Sequence, residues 1–183
     1  FWYEGAFKSE AVKVLPGEYY VANEELLVMT TLGSCIAACL WDRSAKVGGL
    51  NHFMLPEGND GSGRYGSYAM EVLINQMMKL GARRSSMEAK IFGGGAGIGG
   101  MNSSKVGERN TAFVTDYLKT ERIPLVSQDV LDIYPRKVCF LPVPGPAMVQ
   151  RLASSNTDAV QAQDRAAQQR ATPAASGGSV DLF

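Results

Sequence analysis

A single histidine, His52, and three cysteines are all the imidazole and thiol groups in these 183 residues. So small a set leaves no CxxC pair and no second imidazole, which excludes the usual spacings of a zinc site. Three thiols cannot form an even disulfide framework. Cys35 and Cys39 are placed by the pattern on one strand, ~13 Å apart, too far to be bridged. Reduced thiols are what a cytoplasmic chain carries. Net charge is also missing: 18 basic residues balance 18 acidic ones, so nothing indicates nucleic acid or an anionic membrane surface. No apolar run reaches transmembrane length, and no signal peptide is seen in the residues given.

What is present is a thiol and an imidazole set close by a hairpin. Cys35 to Trp41 is apolar, Asp42 to Gly49 carries turn chemistry, and Leu50 to Leu55 is apolar again before Pro56 ends the run. A turn centred between Arg43 and Ser44 puts Cys35 directly opposite His52, while a one-residue slip would send His52 to the other face. An imidazole beside a thiol takes up its proton, generates the nucleophilic thiolate, and can return the proton to a leaving amine. The alternative is structural, since cysteine is a common small core residue and a lone histidine often packs without reacting. Cys39 and Cys139 are read in that way. The segment before the thiol, Thr30-Thr31-Leu32-Gly33-Ser34-Cys35, is small and polar and lets a substrate approach the sulfur.

These residues carry a family resemblance. TTLGSCIAACLWD followed by KVGGLNHFMLP resembles the signature of the bacterial chemoreceptor glutamine deamidases of the CheD family. KIFGGGAG (Lys90 to Gly97) and VGERNTAFVTDYLKTERIPLVSQDV (Val106 to Val130) resemble it too, so the likeness runs from about Glu18 to about Leu141. The resemblance implies that Cys35 is the nucleophile, His52 its partner, and a nearby threonine the third member. Thr30 and Thr31 both precede the Leu-Gly-Ser; Thr30 fits the Thr-x-Leu-Gly-Ser-Cys pattern. The hydroxyl would hold the imidazole tautomer, the task of an aspartate in other triads. Gly33, Ser34 and Thr31 are expected along the active-site loop, with oxyanion donors at the Cys35 N–H and at Ser34.

The implied reaction is hydrolysis of a protein glutamine side chain to glutamate on the cytoplasmic helices of chemoreceptors. Glutamyl methyl esters are a further substrate class in the family. A CheC-type phosphatase is an implied partner, and no cofactor or metal is expected. Two other readings stand beside it: another cysteine acyl-transfer enzyme such as a transglutaminase or thiol protease, and a chemotaxis adaptor that binds with little catalysis.

The pattern along the chain predicts an α/β fold, one domain over residues 1–153, and a flexible low-complexity tail over 154–183. Short strands are expected at Ala11 to Leu15, Glu18 to Ala22 and Leu26 to Thr30, then the hairpin, then a polar glycine loop from Gly58 to Gly66. Met70, Leu73, Ile74, Met77 and Leu80 recur at helical spacing, with Ser67 as the N-cap and Gly81 as the C-terminal cap. A strand at Ser86 to Phe92, a helix at Arg109 to Lys119, and strands near Ile123 to Ser127 and Lys137 to Val143 complete the domain. The resemblance implies a three-layer α/β/β sandwich with mixed and antiparallel sheets.

Gly95, Gly97 and Gly100 satisfy the dinucleotide pattern G-x-G-x-x-G. Asn102-Ser103-Ser104 is expected to separate this block from any helix, and no βαβ unit is expected around it, so a flexible loop bordering the active site is the preferred reading. In the tail, Ala159 to Ala171 has helix-forming composition. Val180 to Phe183 is an apolar segment with two readings: an incidental tail, which is preferred, or a peptide that docks through Leu182, Phe183 and the terminal carboxylate into a partner groove or its own domain.

Overall fold

The computed structural model describes residues 2–4, 9–56, 63–97, 101–152 and 180–183; the Gly58–Gly66 loop in large part and the Ala159–Ala171 helix lie outside them. Eleven strands fall into two sheets. One runs β1 (Trp2–Glu4), β2 (Ser9–Lys13), β4 (Leu27–Leu32), β9 (Arg136–Phe140), β10 (Ala147–Arg151) and β11 (Val180–Leu182). The other runs β3 (Tyr19–Ala22), β6 (Val47–Asn51), β5 (Ile36–Asp42), β7 (Met87–Gly93) and β8 (Leu125–Val130). Both sheets are mixed: β2 pairs parallel with β4, and β7 with β8, while the other neighbours are antiparallel. Two helices, α1 (Gly66–Lys79) and α2 (Met101–Thr120), belong with the second sheet.

Side-chain alternation sorts the core into the expected α/β/β layers. On β5 the even residues Ile36, Ala38 and Leu40 join Met70, Leu73, Ile74 and Met77 of α1 and Val114 and Leu118 of α2 in one buried cluster. The odd residues Cys35, Ala37, Cys39 and Trp41 join Val28, Leu32, Val138, Phe140 and Val149 of the facing sheet in a second. Burying β5 on both faces explains why its sequence reads as a continuous apolar run rather than an alternation.

Several local expectations shift. The N-cap of α1 is Tyr65, without a side-chain cap bond, not Ser67; the Ser67 N–H instead donates to Pro56 O at 3.0 Å. At the other end Gly81 (φ +103°) closes the helix in a Schellman motif, with Ala82 N–H donating to Met77 O and Gly81 N–H to Met78 O. Helix α2 begins at Met101, eight residues before Arg109, so Asn102, Ser103 and Ser104 are helical. Gly107, a poor helix former, disguises this turn in the sequence. A Cβ there would overlap the Gly94 carbonyl, so glycine is what lets α2 approach the glycine block. With β7 and β8 parallel and consecutive, β7–α2–β8 is a βαβ crossover that the sequence reading did not expect. Strand β10 was also missed, hidden behind Pro142, Pro144 and Pro146.

Among the described residues no helix is long and apolar enough to cross a membrane.

Candidate active site

Thr30 lies on β4 of the first sheet and points into the layer between the sheets, as do Val28 and Leu32 on the same strand. Across that layer its Oγ1 meets His52 Nδ1 at 2.8 Å. The hydroxyl also donates to the Val14 carbonyl at 2.7 Å. A carbonyl can only accept, so the single hydroxyl proton is committed to Val14. The Thr30 oxygen must then accept from His52, which puts the imidazole proton on Nδ1. Nε2 is left as a bare lone pair, buried, with no hydrogen-bond partner among the described residues. Thr31, one residue along, turns to the opposite face and is only half-buried.

The hairpin register differs from the symmetric count. Asp42 pairs with Val47 and Leu40 with Gly49, and an isolated bridge joins Ile36 to Phe53. The turn is therefore Arg43–Lys46, two residues longer than a turn centred on Arg43–Ser44 allows. Its cause is Asp42: the carboxylate accepts from Ser44 N–H (3.0 Å), Ala45 N–H (3.1 Å) and, from outside the turn, Arg83 N–H (2.8 Å), and Lys46 closes the turn at φ +57°. The correction is a two-residue slip, and side chains repeat every two residues. His52 and Cys35 thus remain on the same face, but diagonally across the Ile36–Phe53 pair rather than opposite. Such diagonal neighbours have Cα atoms about 7–8 Å apart, within reach of one another's side chains. Both residues are about 1% exposed, and Thr30 2%.

The backbone around His52 is fixed by Glu18 O, which accepts its N–H at 3.1 Å, and by Gly17 N–H, which donates to its carbonyl at 2.8 Å. Around Cys35 the glycine block does the same work. Gly94 N–H donates to Cys35 O and Gly95 N–H to Gly33 O, both at 2.9 Å, and Ala96 N–H donates to Asp132 O at 2.7 Å. Gly93, at φ +113°, passes so close to the Cys35 carbonyl that any Cβ would collide with it. The described part of the glycine block, residues 93–97, is therefore stitched to the cysteine segment, while residues 98–100 lie outside the described residues. The βαβ setting revives the dinucleotide question, but the amides that would cradle a pyrophosphate at residues 94–96 are already engaged with protein carbonyls.

Two polar residues that sequence reasoning passed over support this arrangement. Asn110 on α2, fully buried, donates from Nδ2 to Met54 O (2.9 Å) and Ser34 O (3.3 Å). It clamps the residues adjoining Cys35 to the strand that carries His52. Arg136, also fully buried, donates to Asp129 (3.0 Å) and to the carbonyls of Leu131, Tyr134 and Gly93. It pins a turn in which Leu131 and Asp132 both sit at positive φ. Asn110 lies on the apolar stripe of α2, one turn before Phe113 and Val114, so a polar residue interrupting that stripe was the available signal, whereas Arg136 reads as one more strand-end charge.

Electrostatics separate the groups. Complete burial lowers the His52 pKa from 6.5 to about 3, so the imidazole is neutral at neutral pH. Burial drives the Cys39 thiol far up, and the charge of Lys90 only partly opposes it, which fits the core role read for Cys39. Burial pushes the Asp129 carboxyl up, but hydrogen bonds and charge from Arg151 and Arg136 more than reverse this and leave it below the usual carboxylate range. No group of three or more His, Cys, Asp or Glu side chains that could hold a metal occurs among the described residues, and all three cysteines are free thiols.

Known proteins were then compared. The profile of a family described as CheD, chemotactic sensory transduction, matches residues 54–151. The chain is 59% identical over 186 residues to a protein of Albidiferax ferrireducens named probable chemoreceptor glutamine deamidase CheD 1, covering 100% of this chain and 80% of the relative. A protein of the same name from Dechloromonas aromatica is 50% identical over 187 residues, covering 100% and 93%. A probable chemoreceptor glutamine deamidase CheD from Xanthomonas campestris is 48% identical over 183 residues, covering 98% and 92%. The profile match begins just after His52, whereas these three alignments extend across Thr30, Cys35 and His52.

Proposed function

Because the chain belongs to the CheD family, we propose that it is a cysteine-dependent protein-glutamine deamidase acting on chemoreceptors, with Cys35, His52 and Thr30 as its triad. The observation that carries the reading is the relay from Val14 O through Thr30 Oγ1 to His52 Nδ1. It fixes the tautomer with Nε2 unprotonated, on the face that carries Cys35 and Cys39, which flank the Ala37 position opposite His52. The glycine-bearing segment before Cys35 and the burial that suppresses the Cys39 thiolate favour Cys35 as the nucleophile.

The chemistry runs in two halves. Nε2 takes the Cys35 proton, and the thiolate attacks the side-chain carbonyl carbon of glutamine. Donors of the Ser34–Cys35 segment steady the oxyanion, with Gly33 allowing close approach. The tetrahedral adduct collapses as His52 protonates the departing nitrogen, so ammonia leaves and a thioester remains. Water then gives a proton to Nε2 and attacks the thioester, releasing glutamate and restoring the thiol. The imidazolium formed in each half is stabilised by the Thr30 oxygen, which accepts from Nδ1–H throughout. The same acyl-enzyme serves a glutamyl methyl ester, with methanol as leaving group.

With Cys35 and His52 almost fully covered, a carboxamide reaches the sulfur only after neighbouring side chains move, so docking of the receptor helix is part of activation. The partner in this reading is a cytoplasmic chemoreceptor helix, which puts the chain in the cytoplasm. A CheC-type phosphatase is a second partner, resting on the family resemblance alone.

The test is peptide mass spectrometry of a purified receptor cytoplasmic fragment incubated with wild type or Cys35→Ala. A gain of about one dalton at particular glutamines with wild type only, the mass change of amide-to-acid conversion, supports the reading. No gain with folded wild type overturns it in favour of a binding role.

A further inference from the structure

We propose that the edge of β10, with the notch behind it formed by Lys90, Phe92 and Trp41, is a strand-addition site for extended peptides that place an aromatic residue in the notch, and that Val180–Phe183 is its resting occupant.

Strand β11 pairs antiparallel with β10 in the register Met148↔Leu182, Val149↔Asp181 and Gln150↔Val180. The pairing continues one step further, where Ala147 and Phe183 exchange both main-chain hydrogen bonds, at 3.1 and 2.6 Å. Main-chain bonds of this kind bind any extended segment, and pockets for individual side chains make the choice. Here the pocket takes Phe183. Its ring sits edge-on to Phe92, centroids 5.7 Å apart at 77°, and packs against the core between the sheets. Leu182 is 73% exposed, so the aromatic residue is the one selected.

The second element is a buried cation. Lys90 projects from β7, in the opposite sheet, and is only 8% exposed. Its ammonium lies 5.1 Å from the Trp41 ring centroid and donates to Gly145 O at 2.9 Å and to the Phe183 main-chain oxygen at 2.7 Å. A buried ammonium needs acceptors. Removing the occupant takes one of its two carbonyl oxygens, uncovers Phe92, and leaves the β10 edge unpaired, a condition proteins generally avoid. The notch is thus built around an aromatic side chain whose main-chain oxygen faces a cation.

The occupant is joined to its site only through the span 153–179, whose composition is rich in alanine, glutamine, serine and glycine. Tethering of this kind supplies a local concentration on the order of millimolar, enough to hold a weak segment in place yet open to exchange. The same segment offered in trans, as a free peptide or from a second copy, meets the same chemistry.

The experiment uses the full chain carrying Phe183→Ala, which disarms the tethered occupant, and a fluorescein-labelled peptide spanning Ser179–Phe183 followed by fluorescence polarisation. Saturable binding is expected, at least tenfold weaker to wild type, where the tail competes, and at least tenfold weaker to Phe183→Ala/Lys90→Met. Absence of saturable binding to folded Phe183→Ala, or binding indifferent to Lys90→Met, overturns the proposal. Should Lys90→Met fail to fold, hydrogen exchange at the Ala147 amide decides. Protection in wild type that is lost in Phe183→Ala supports the site, and equal exchange in both overturns it.

Discussion

Thr30 and His52 come from different sheets and meet across the interior through one 2.8 Å hydrogen bond. The sandwich itself therefore holds the imidazole, and the hydroxyl's second bond, to Val14 O, decides which nitrogen carries the proton. Replacing an aspartate by a threonine in this role keeps the orienting hydrogen bond without burying a carboxylate beside the ring.

Thr30→Val keeps the shape and removes the hydroxyl. The Nδ1 proton then lacks its acceptor, and the tautomer with Nε2 protonated becomes competitive. A fall of at least about hundredfold in the deamidation rate is expected, on the scale of losing a positioned general base. Thr31→Val, on the opposite face, should stay within about twofold. Nitrogen NMR of the single imidazole supplies the second readout: the Nδ1–H signature of wild type should be lost in Thr30→Val and kept in Thr31→Val. An unchanged tautomer in Thr30→Val would refute the relay.

Cys35, one residue before β5, and Cys39, on it, face the same interior cluster, and the proposed reaction uses only the first. Cys39 pairs with Leu50 and Lys90 within the second sheet, and its burial suppresses the thiolate. Cys39→Ala should cost about 1 kcal/mol in urea unfolding through lost packing, with activity retained. Cys35→Ala should abolish turnover with an unchanged unfolding midpoint to within about 1 kcal/mol. Equal loss of activity in both variants would contradict the assignment of the nucleophile.

The neutral state of His52 has a consequence for stability. Its pKa is about 3 in the folded protein against an ordinary 6.5. Between those values the unfolded chain binds a proton that the folded chain does not. The stabilising contribution of the neutral imidazole is thus complete above about pH 6.5 and is lost progressively as pH falls toward 3. At most about 4–5 kcal/mol is involved. Asp129 acts in the same direction, but only as pH falls below its ordinary value of 3.8. Urea unfolding at a series of pH values from about 7 to 4.5 should therefore show stability falling in wild type and a flatter profile in His52→Gln. Parallel profiles would mean that His52 titrates alike in the folded and unfolded chain.

How much of this could be read from the sequence depends on how local the signal was. Helix α1 was legible because its apolar repeat and Gly81 are contiguous in sequence, and the Thr30–His52 pair, joined by one hydrogen bond, because a contiguous signature surrounds it. The hairpin register was missed by two residues because its determinant is a side chain: Asp42 accepts from three backbone amides, one of them far along the chain. The start of α2 was missed because Gly107 reads as a breaker, although it is there to let the helix touch Gly94. Strand β11 forms only by pairing with a strand that the preceding prolines disguise. In each case the deciding partner is distant in sequence, and local pattern is silent about it.

Asn110 is such a partner, and its chemistry separates two substitutions. Its Nδ2 donates to Ser34 O and Met54 O, while Oδ1 is buried without a hydrogen-bond partner among the described residues. Asn110→Leu takes the donor from Ser34 O and Met54 O, at about 1–3 kcal/mol for each carbonyl left bare, but also removes the unsatisfied oxygen, whose burial has a penalty of similar size. The net loss in urea unfolding should be about 1–3 kcal/mol. Asn110→Asp keeps the unsatisfied oxygen and sets a second acceptor against two carbonyls, so it should lose about 2–4 kcal/mol. Both variants unclamp the cysteine segment from the histidine strand, and a misplacement of about 1 Å at reacting groups can lower a rate by about a hundredfold. Asn110→Leu is thus expected to lose less stability than Asn110→Asp, while both deamidate far more slowly than wild type. A larger stability loss in Asn110→Leu than in Asn110→Asp would show that Oδ1 is the working atom of this side chain.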